Sequence, residues 1–98
     1  MTVEKNNSEK SAQEETLIQF PCRFPIKAMG VGMIDLDKTV LSIVQKHAID
    51  VTEADIALKP SRNGRYISVT VTINAHSKMQ LDAIYQAMTD HKDILMVF

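Results

Sequence analysis

Apolar and polar residues alternate strictly over the longest patterned stretch of the chain. From Ile67 to Ala75 every second residue is apolar, and the residues between them are serine, threonine or asparagine. A period of two predicts a β-strand with one face in the core, and β-branched residues suit its pleated surface. The pattern therefore predicts a long strand with one buried face and one polar face.

Two other stretches repeat their apolar residues with a helical period. Asp35 to Ala48 is the first, and Asp35 is expected to cap its N-terminal N–H groups. Ser77 to Thr89 is the second, and Gln80 follows Ser77 at the spacing of a capping box. The stripes expected to face the core are Leu36, Val40, Ile43, Val44 and His47 in the first helix and Leu81, Ile84, Tyr85 and Met88 in the second.

Three shorter stretches are predicted as strands: Phe24 to Val31, Asp55 to Lys59 and Asp93 to Phe98. Pro60 to Gly64 forms a turn between two strands, because Asn-Gly readily adopts positive φ. The strands on either side of this turn are expected to form a hairpin. Pro25 lacks an N–H, so it should lie at the start of its strand or on an unpaired side.

The predicted element order is β-α-β-β-α-β. Right-handed crossovers then give the ferredoxin-like α+β plait, a four-stranded antiparallel sheet in the order 4-1-3-2 with two helices on one face. Strands one and three are central in this sheet, which is where the long alternating strand belongs. Residues 20–98 are expected to form this single domain, and residues 1–19 a disordered acidic leader.

Composition narrows the class of protein. The chain has 98 residues and a formal net charge of −1, so it has no general attraction for nucleic acid or anionic membranes. Cys22 is the only cysteine, which excludes an intrachain disulfide and fits a reducing compartment. No apolar run approaches a membrane span and no secretory signal is present, so a cytoplasmic protein is expected.

The chemistry-bearing residues form no catalytic or metal-binding pattern. The three histidines have no i, i+4 pairing and no thiol beside them, so neither a metal nor another cofactor is predicted. Ser77 is explained as a helix cap, and no serine, threonine or cysteine has an evident base partner. Tyr66 is the one aromatic residue on the polar side of the long strand. One aromatic side chain is too few for a sheet that binds RNA by stacking its bases. A non-enzymatic binding protein is expected.

Several segments, taken in order, resemble one family. They are Phe20-Pro21, the K-A-M-G run at Lys27 to Gly30, V-Q-K-H-A at Val44 to Ala48, K-P-S-x-x-G-x-Y at Lys59 to Tyr66, and S-V-T-V-T-I-N-A at Ser68 to Ala75. These resemble the YbeD-like family of small, uncharacterised bacterial proteins. The resemblance covers about residues 20–98 and implies a ferredoxin-like fold similar to the ACT-type regulatory domains. It implies no agreed activity, because a fold does not carry a function.

The open face of the predicted sheet is the leading candidate for function. If Met96 faces the helices, an apolar patch forms on the other side of strands one and four, suited to a partner protein or a second copy of the chain. If strand four has the opposite register, Leu95 and Val97 face the helices and do not belong to this patch. The predicted interface residues are Met29, Val31, Tyr66, Thr70, Leu95 and Val97.

The loop of Gly30, Val31 and Gly32 offers an alternative function. ACT-type domains hold a small ligand at this place, between strand one and helix one. Glycine allows a close backbone approach, and N–H groups at the start of a helix can bind a carboxylate. The alternative is therefore a sensor of an amino acid or a related metabolite. A tight turn and a helix cap explain the same glycines.

The hairpin tip is a third candidate site, because Lys59, Arg62 and Arg65 gather around the turn. Such a cluster can hold a phosphate or an acidic partner surface. Charged residues and proline also prevent the edge of a sheet from pairing with another chain. This role explains the cluster without any ligand.

Overall fold

Four strands and two helices follow the predicted order in the computed structural model, which describes residues 18–32 and 35–98. The elements are β1 (Cys22–Val31), α1 (Leu36–Gln45), a 3-10 turn (Glu53–Asp55), β2 (Ile56–Pro60), β3 (Tyr66–Ala75), α2 (Lys78–Thr89) and β4 (Met96–Val97). The predicted acidic leader lies outside the described residues, except for its last two positions.

The strands form one antiparallel sheet in the order β2-β3-β1-β4, which confirms the predicted ferredoxin-like topology. β1 and β3 are paired along their whole length, from Cys22 opposite Ala75 to Val31 opposite Tyr66. β4 is much shorter than predicted and pairs with β1 at Ala28 and Met29. The long alternating strand β3 is central, as its pattern indicates.

Both helices pack against one side of the sheet and build a single core. Every fully buried side chain of β1 and β3 points to this side, because burial alternates along both strands. The core residues are Ile26, Ala28, Leu36, Val40, Val44, Ala48, Val51, Val69, Val71, Ile73, Ala75, Leu81, Ile84, Met88 and Ile94. We call the opposite side of the sheet the open face, because no helix in the described part of the chain covers it.

The two helices differ in how they begin. Asp35 occupies the N-cap position of α1, but its side chain makes no capping hydrogen bond, so that prediction is wrong. Its backbone, at φ −80° and ψ 67°, is outside the extended conformation that aims an N-cap side chain at the following N–H groups. Ser77 does cap α2: its hydroxyl accepts a hydrogen bond of 3.1 Å from the Gln80 N–H.

The side chain of Gln80 joins the two helices. Its Oε1 accepts a hydrogen bond of 2.7 Å from the N–H of His76, one residue before the usual partner in a capping box. Its Nε2 donates to the carbonyl of His47, just beyond the end of α1, at 2.8 Å. The start of α2 is thereby tied to the end of α1, which ends at Gln45, three residues before the predicted boundary.

Pro25 lies within β1 without interrupting the sheet. Lys27 exchanges both backbone hydrogen bonds with Phe98, at 2.7 and 2.8 Å, so the backbone groups of odd-numbered β1 residues point toward β4. The described pairing with β4 stops at Lys27. The missing N–H of Pro25 therefore lies on the unpaired side of the strand, as predicted.

α1 and α2 are both too short to cross a bilayer, and none of the helices that the structure describes has the length and apolar character of a membrane span.

Candidate functional site

The register of the sheet places two cross-strand rows of side chains on the open face. Opposed side chains in neighbouring strands have Cβ atoms about 5 Å apart, so each row is a continuous line of contacts. The first row, from β2 to β4, contains Lys59, Ser68, Met29 and Met96. The second row contains Ala57, Thr70, Lys27 and Phe98.

The half of these rows on β1 and β4 is apolar except for Lys27. Met96 and Phe98 are each 53% exposed, and Met29 lies beside them, half-buried. The Lys27 ammonium lies over the Phe98 ring, with Nζ 5.6 Å from the ring centroid. This is within the range of a cation–π interaction, so Phe98 and Lys27 orient each other.

The half on β2 and β3 is polar and cationic. Lys59 is exposed, and Ser68 and Thr70 present hydroxyl groups beside it. Tyr66 follows at the end of β3, and the Arg65 guanidinium lies 5.9 Å from its ring centroid. Apolar and cationic groups thus lie side by side on one face.

An open depression of about 300 Å³ lies between the two halves. We call it the open-face cleft. Its lining residues include two lysines and no acidic side chain, so its side chains are positively charged although the whole chain has a net charge of −1. The lining residues are Lys27, Met29, Lys59, Pro60, Ser61, Tyr66, Ser68, Thr70 and Phe98.

The predicted orientation of the last strand is wrong. Val97 is opposite Ala28 and packs against the core on the helix side, so it is not on the open face. Met96 and Phe98 occupy the open face instead, and Leu95, at 54% exposure, lies just outside the strand. The reason is a short irregular segment after α2. It makes Ile94 and Val97 both face the core, whereas strict alternation would place them on opposite sides.

The other predicted interface residues lie where the alternation of β1 and β3 places them. Met29, Tyr66 and Thr70 line the cleft. Val31 is opposite Tyr66 at the edge of the cleft, is 41% exposed and does not line it. The apolar part of this surface therefore lies on β1, with Tyr66 and Thr70 of β3 beside it, and its β4 members differ from the predicted ones.

The structure joins the predicted hairpin site to this surface. Lys59 lines the cleft, and Arg65 lies against Tyr66 at its margin. Arg62 is exposed in the turn and does not line the cleft. Two regions that the sequence analysis treated separately are thus parts of one surface.

Five residues that line the cleft were not predicted as site residues from the sequence: Lys27, Pro60, Ser61, Ser68 and Phe98. Alternation in β1 already predicted that Lys27 faces away from the helices, so a local signal for it existed. Phe98 had none, because its side depends on the irregular segment between α2 and β4. It pairs with Lys27 through the backbone.

The tip of the β2–β3 hairpin is fixed by side-chain hydrogen bonds. The Asn63 Oδ1 accepts from the Arg65 N–H at 3.0 Å, and the Ser61 hydroxyl accepts from the Tyr66 N–H, also at 3.0 Å. Gly64 has φ +76°, the left-handed conformation predicted for the turn. This network holds Lys59 and Tyr66 in place beside the cleft.

Close packing accounts for the glycines of the predicted ligand loop. A Cβ atom at Gly30 would lie 2.7 Å from the Asp93 carbonyl oxygen, and one at Gly32 would collide with the carbonyl oxygen of Gly64. The Gly32 N–H donates a hydrogen bond of 2.8 Å to the Arg65 carbonyl, so it is not free for a carboxylate. The rest of this loop, residues 33 and 34, lies outside the described residues.

At the other end of the open face, the charged groups neutralise one another. The Arg23 guanidinium donates to Asp55, at 3.1 Å, and to the side chain of Asn74, also at 3.1 Å. A hydrogen bond from the Thr52 backbone N–H and a second from Arg23 hold the pKa of the Asp55 carboxyl below its ordinary value of 3.8. In contrast, no acidic residue in the described part of the chain forms an ion pair with Lys27 or Lys59.

Within residues 18–32 and 35–98, no three side chains of the histidine, cysteine or acidic type come together as a metal ion would require.

Comparison with known proteins places these features in a family. The family described as "Protein of unknown function (DUF493)" matches residues 15–98. The UPF0250 protein NE1487 of Nitrosomonas europaea is 46% identical over 84 residues, which cover 86% of this chain and 97% of that protein. The UPF0250 protein NMC1112 of Neisseria meningitidis is 38% identical over 97 residues, which cover 99% of each chain.

One solved structure has a similar fold. The solution structure of protein HP0495 from H. pylori matches with a TM-score of 0.65 and covers 83% of this chain and 85% of that one. At 13% identity this likeness concerns the fold alone. The match over residues 15–98 and the identities across nearly the whole chain confirm the resemblance found in the sequence: the chain belongs to the DUF493, or UPF0250, family of small bacterial proteins.

Proposed function

We propose that this protein is a non-enzymatic regulatory or adaptor protein that binds a partner protein through the open-face cleft. A single observation carries the proposal. Methionine, phenylalanine and tyrosine side chains are exposed together on a sheet face that no described element covers. The three residue types are enriched in protein–protein interfaces.

The energetics of this surface favour association. Met96 and Phe98 leave about half of their area in water, and burying the remainder under a partner stabilises a complex by about 1 kcal/mol for each side chain. The backbone around Met96 and Phe98 is hydrogen-bonded to β1. Little backbone conformational entropy is then lost on binding, because the backbone of this surface is already ordered.

The cleft offers little to a catalyst. Ser68 lies opposite Lys59, but no hydrogen bond joins the two side chains. A nucleophilic serine needs a base within hydrogen-bond reach, and neither Ser61 nor Thr70 is hydrogen-bonded to a basic group in the described structure. A protein that only binds a partner needs the exposed side chains but no nucleophile–base pair.

The metabolite sensor stays a prediction. Its site is the Met29–Met33 loop, where packing explains Gly30 and Gly32. No contact in the described residues favours a ligand there over a tight turn, so the open-face cleft is the better supported site.

A matched pair of methionine variants tests the proposal. Met96→Asp places a charge in the cleft's apolar half, whereas Met79→Asp makes the same change at an 80% exposed position on α2. Tagged wild-type protein and each variant are used to capture proteins from a lysate of a related bacterium. We expect a specific partner to be retained by the wild type and by Met79→Asp, and to be reduced at least tenfold with Met96→Asp.

Equal capture by Met96→Asp and the wild type would contradict docking through the open face. Light scattering separates the second possible occupant, another copy of this chain. A concentration-dependent doubling of mass that Met96→Asp abolishes would identify the partner as the protein itself.

A further inference from the structure

We infer that the open-face cleft recognises an acidic segment in which carboxylates flank an apolar residue. This inference rests on the proposed function and specifies the chemistry of the partner. It follows from the arrangement of two lysines around the apolar half of the cleft.

The side chains of the cleft carry a local positive charge, and no acidic side chain of the described residues compensates it. Lys27 and Lys59 both line the cleft, Arg65 lies at its margin, and no acidic side chain lines it. At the other end of the same face, Arg23 already has Asp55 as its partner. Charge complementarity therefore favours a partner that brings its own carboxylates to the cleft.

The spacing of the two lysines suggests a pattern in the partner. Lys27 and Lys59 lie in adjacent cross-strand rows on β1 and β2, which are separated by β3. Their Cα atoms are thus about 12 Å apart, from a strand spacing of about 4.8 Å and a rise of about 3.3 Å per residue.

An extended segment with acidic residues four positions apart spans about 13 Å, which matches the distance between the lysines. The residue midway between them points to the same face, because alternate side chains of an extended chain share a side. An apolar residue there would lie over β3, between Ser68 and Thr70, about 6 Å in the plane of the sheet from the Met29 Cα and within reach of the long Met29 side chain. The preferred segment is therefore acidic–x–apolar–x–acidic.

Single-stranded RNA is the other polyanion that such a face can attract. RNA-binding sheets stack bases on aromatic residues of their central strands. Here the central strands present Lys27, Met29, Ser68 and Thr70 to the cleft, with Tyr66 at its end. The Phe98 ring lies next to the edge strand, outside the central pair, and the Lys27 ammonium lies over one of its faces. The geometry points to a protein segment.

Selection from a display library of random dodecapeptides tests this inference. We expect the peptides retained by the wild type to be enriched in Asp and Glu around a central apolar residue. For a selected synthetic peptide, Lys27→Glu/Lys59→Glu should weaken binding at least tenfold, because two charge-assisted contacts become repulsive. Raising the salt concentration should weaken wild-type binding as well.

The matched control is Lys38→Glu/Lys46→Glu, which changes the net charge equally but on the helix side of the molecule, on and next to α1. It should bind the peptide like the wild type. If it weakens binding as much as the cleft variant does, the attraction is general and the inference is wrong.

The remaining outcomes separate this inference from the proposed function. Selected peptides that lack acidic enrichment but lose binding with Met96→Asp would overturn the acidic preference and leave open-face docking intact. Peptides that bind Met96→Asp normally, or no selectable peptide at all, would count against docking itself. Binding of a uridine dodecanucleotide that requires Lys27 and Lys59, without acidic peptides, would replace the protein partner with RNA.

Discussion

Gly30 lies on the helix side of β1, where the segment after α2 approaches the strand. A Cβ atom there would lie 2.7 Å from the Asp93 carbonyl oxygen and 2.9 Å from the Leu36 Cδ2. The backbone carbonyl cannot move without shifting the segment that leads to β4. The same contact explains why a residue that suggested ligand binding in the sequence is glycine: the space is already occupied.

The Gly30→Ala variant should be less stable than the wild type by about 1–3 kcal/mol, because the added methyl group overpacks this contact. Urea unfolding followed by circular dichroism measures the difference. Ser68→Ala, on the open face of the same sheet, is the control and should change the free energy of unfolding by no more than about 0.5 kcal/mol. An unchanged urea midpoint for Gly30→Ala would contradict this prediction, because it would mean that the segment around Asp93 moves aside at no cost in stability.

At the scale of single elements, the polar connection between α1 and β2 fixes the position of the edge strand β2. Thr52 caps the 3-10 turn, and its N–H donates to the Asp55 carboxylate at 3.0 Å. Arg23 reaches the same carboxylate from β1. The start of β2 is therefore linked to β1, across β3, by a charged side chain in addition to the packing of Ile56 against the core.

Acid should weaken this link. The pKa of Asp55 is lowered in the folded protein, so its ionised form stabilises the fold above the ordinary value of 3.8, and this contribution is lost as the pH falls below it. We expect the difference in unfolding free energy between the wild type and Asp55→Asn to shrink below pH 3.8. Arg23→Gln, which removes one cause of the lowered pKa, should reproduce part of the effect. A difference that stays constant from pH 7 to pH 2 would contradict the assignment.

On the scale of the whole molecule, the sheet is asymmetric. Among the described residues, β1 has a partner on both sides at Lys27 but has β3 alone beside it at Arg23. Residues near the start of β1 therefore expose backbone groups at an edge, and Pro25 removes one of the donors there. Proline is one of the devices that prevent the edge of a sheet from pairing with another chain.

Hydrogen exchange of backbone amides should report this asymmetry. The Lys27 N–H donates to Phe98, whereas the Arg23 N–H points to the same side with no described partner strand. The Lys27 amide should exchange at least tenfold more slowly than the Arg23 amide, because it must open a strand pair first. Nuclear magnetic resonance resolves the two amides. Equal rates would mean that β4 does not stay paired with β1 in solution.

The sequence by itself determined the elements, their order and the side to which β1 and β3 point. These properties depend on local periodicity. The alternation from Ile67 to Ala75 indicates the orientation of Tyr66 and Thr70, and if Ile26 and Ala28 face the helices, Met29 faces away from them. The capping serine of α2 and the left-handed Gly64 were equally local, since each needs only its neighbours in the chain.

Only the tertiary structure decided which side chains of β4 complete the cleft. β4 spans two residues, too few for a period to be read, and its register is set by hydrogen bonds to Lys27 and Met29 more than 60 positions away. That pairing brings Phe98 to Lys27 and turns Val97 into the core. A surface built from strands that are distant in sequence depends on register, and register is a property of the folded sheet.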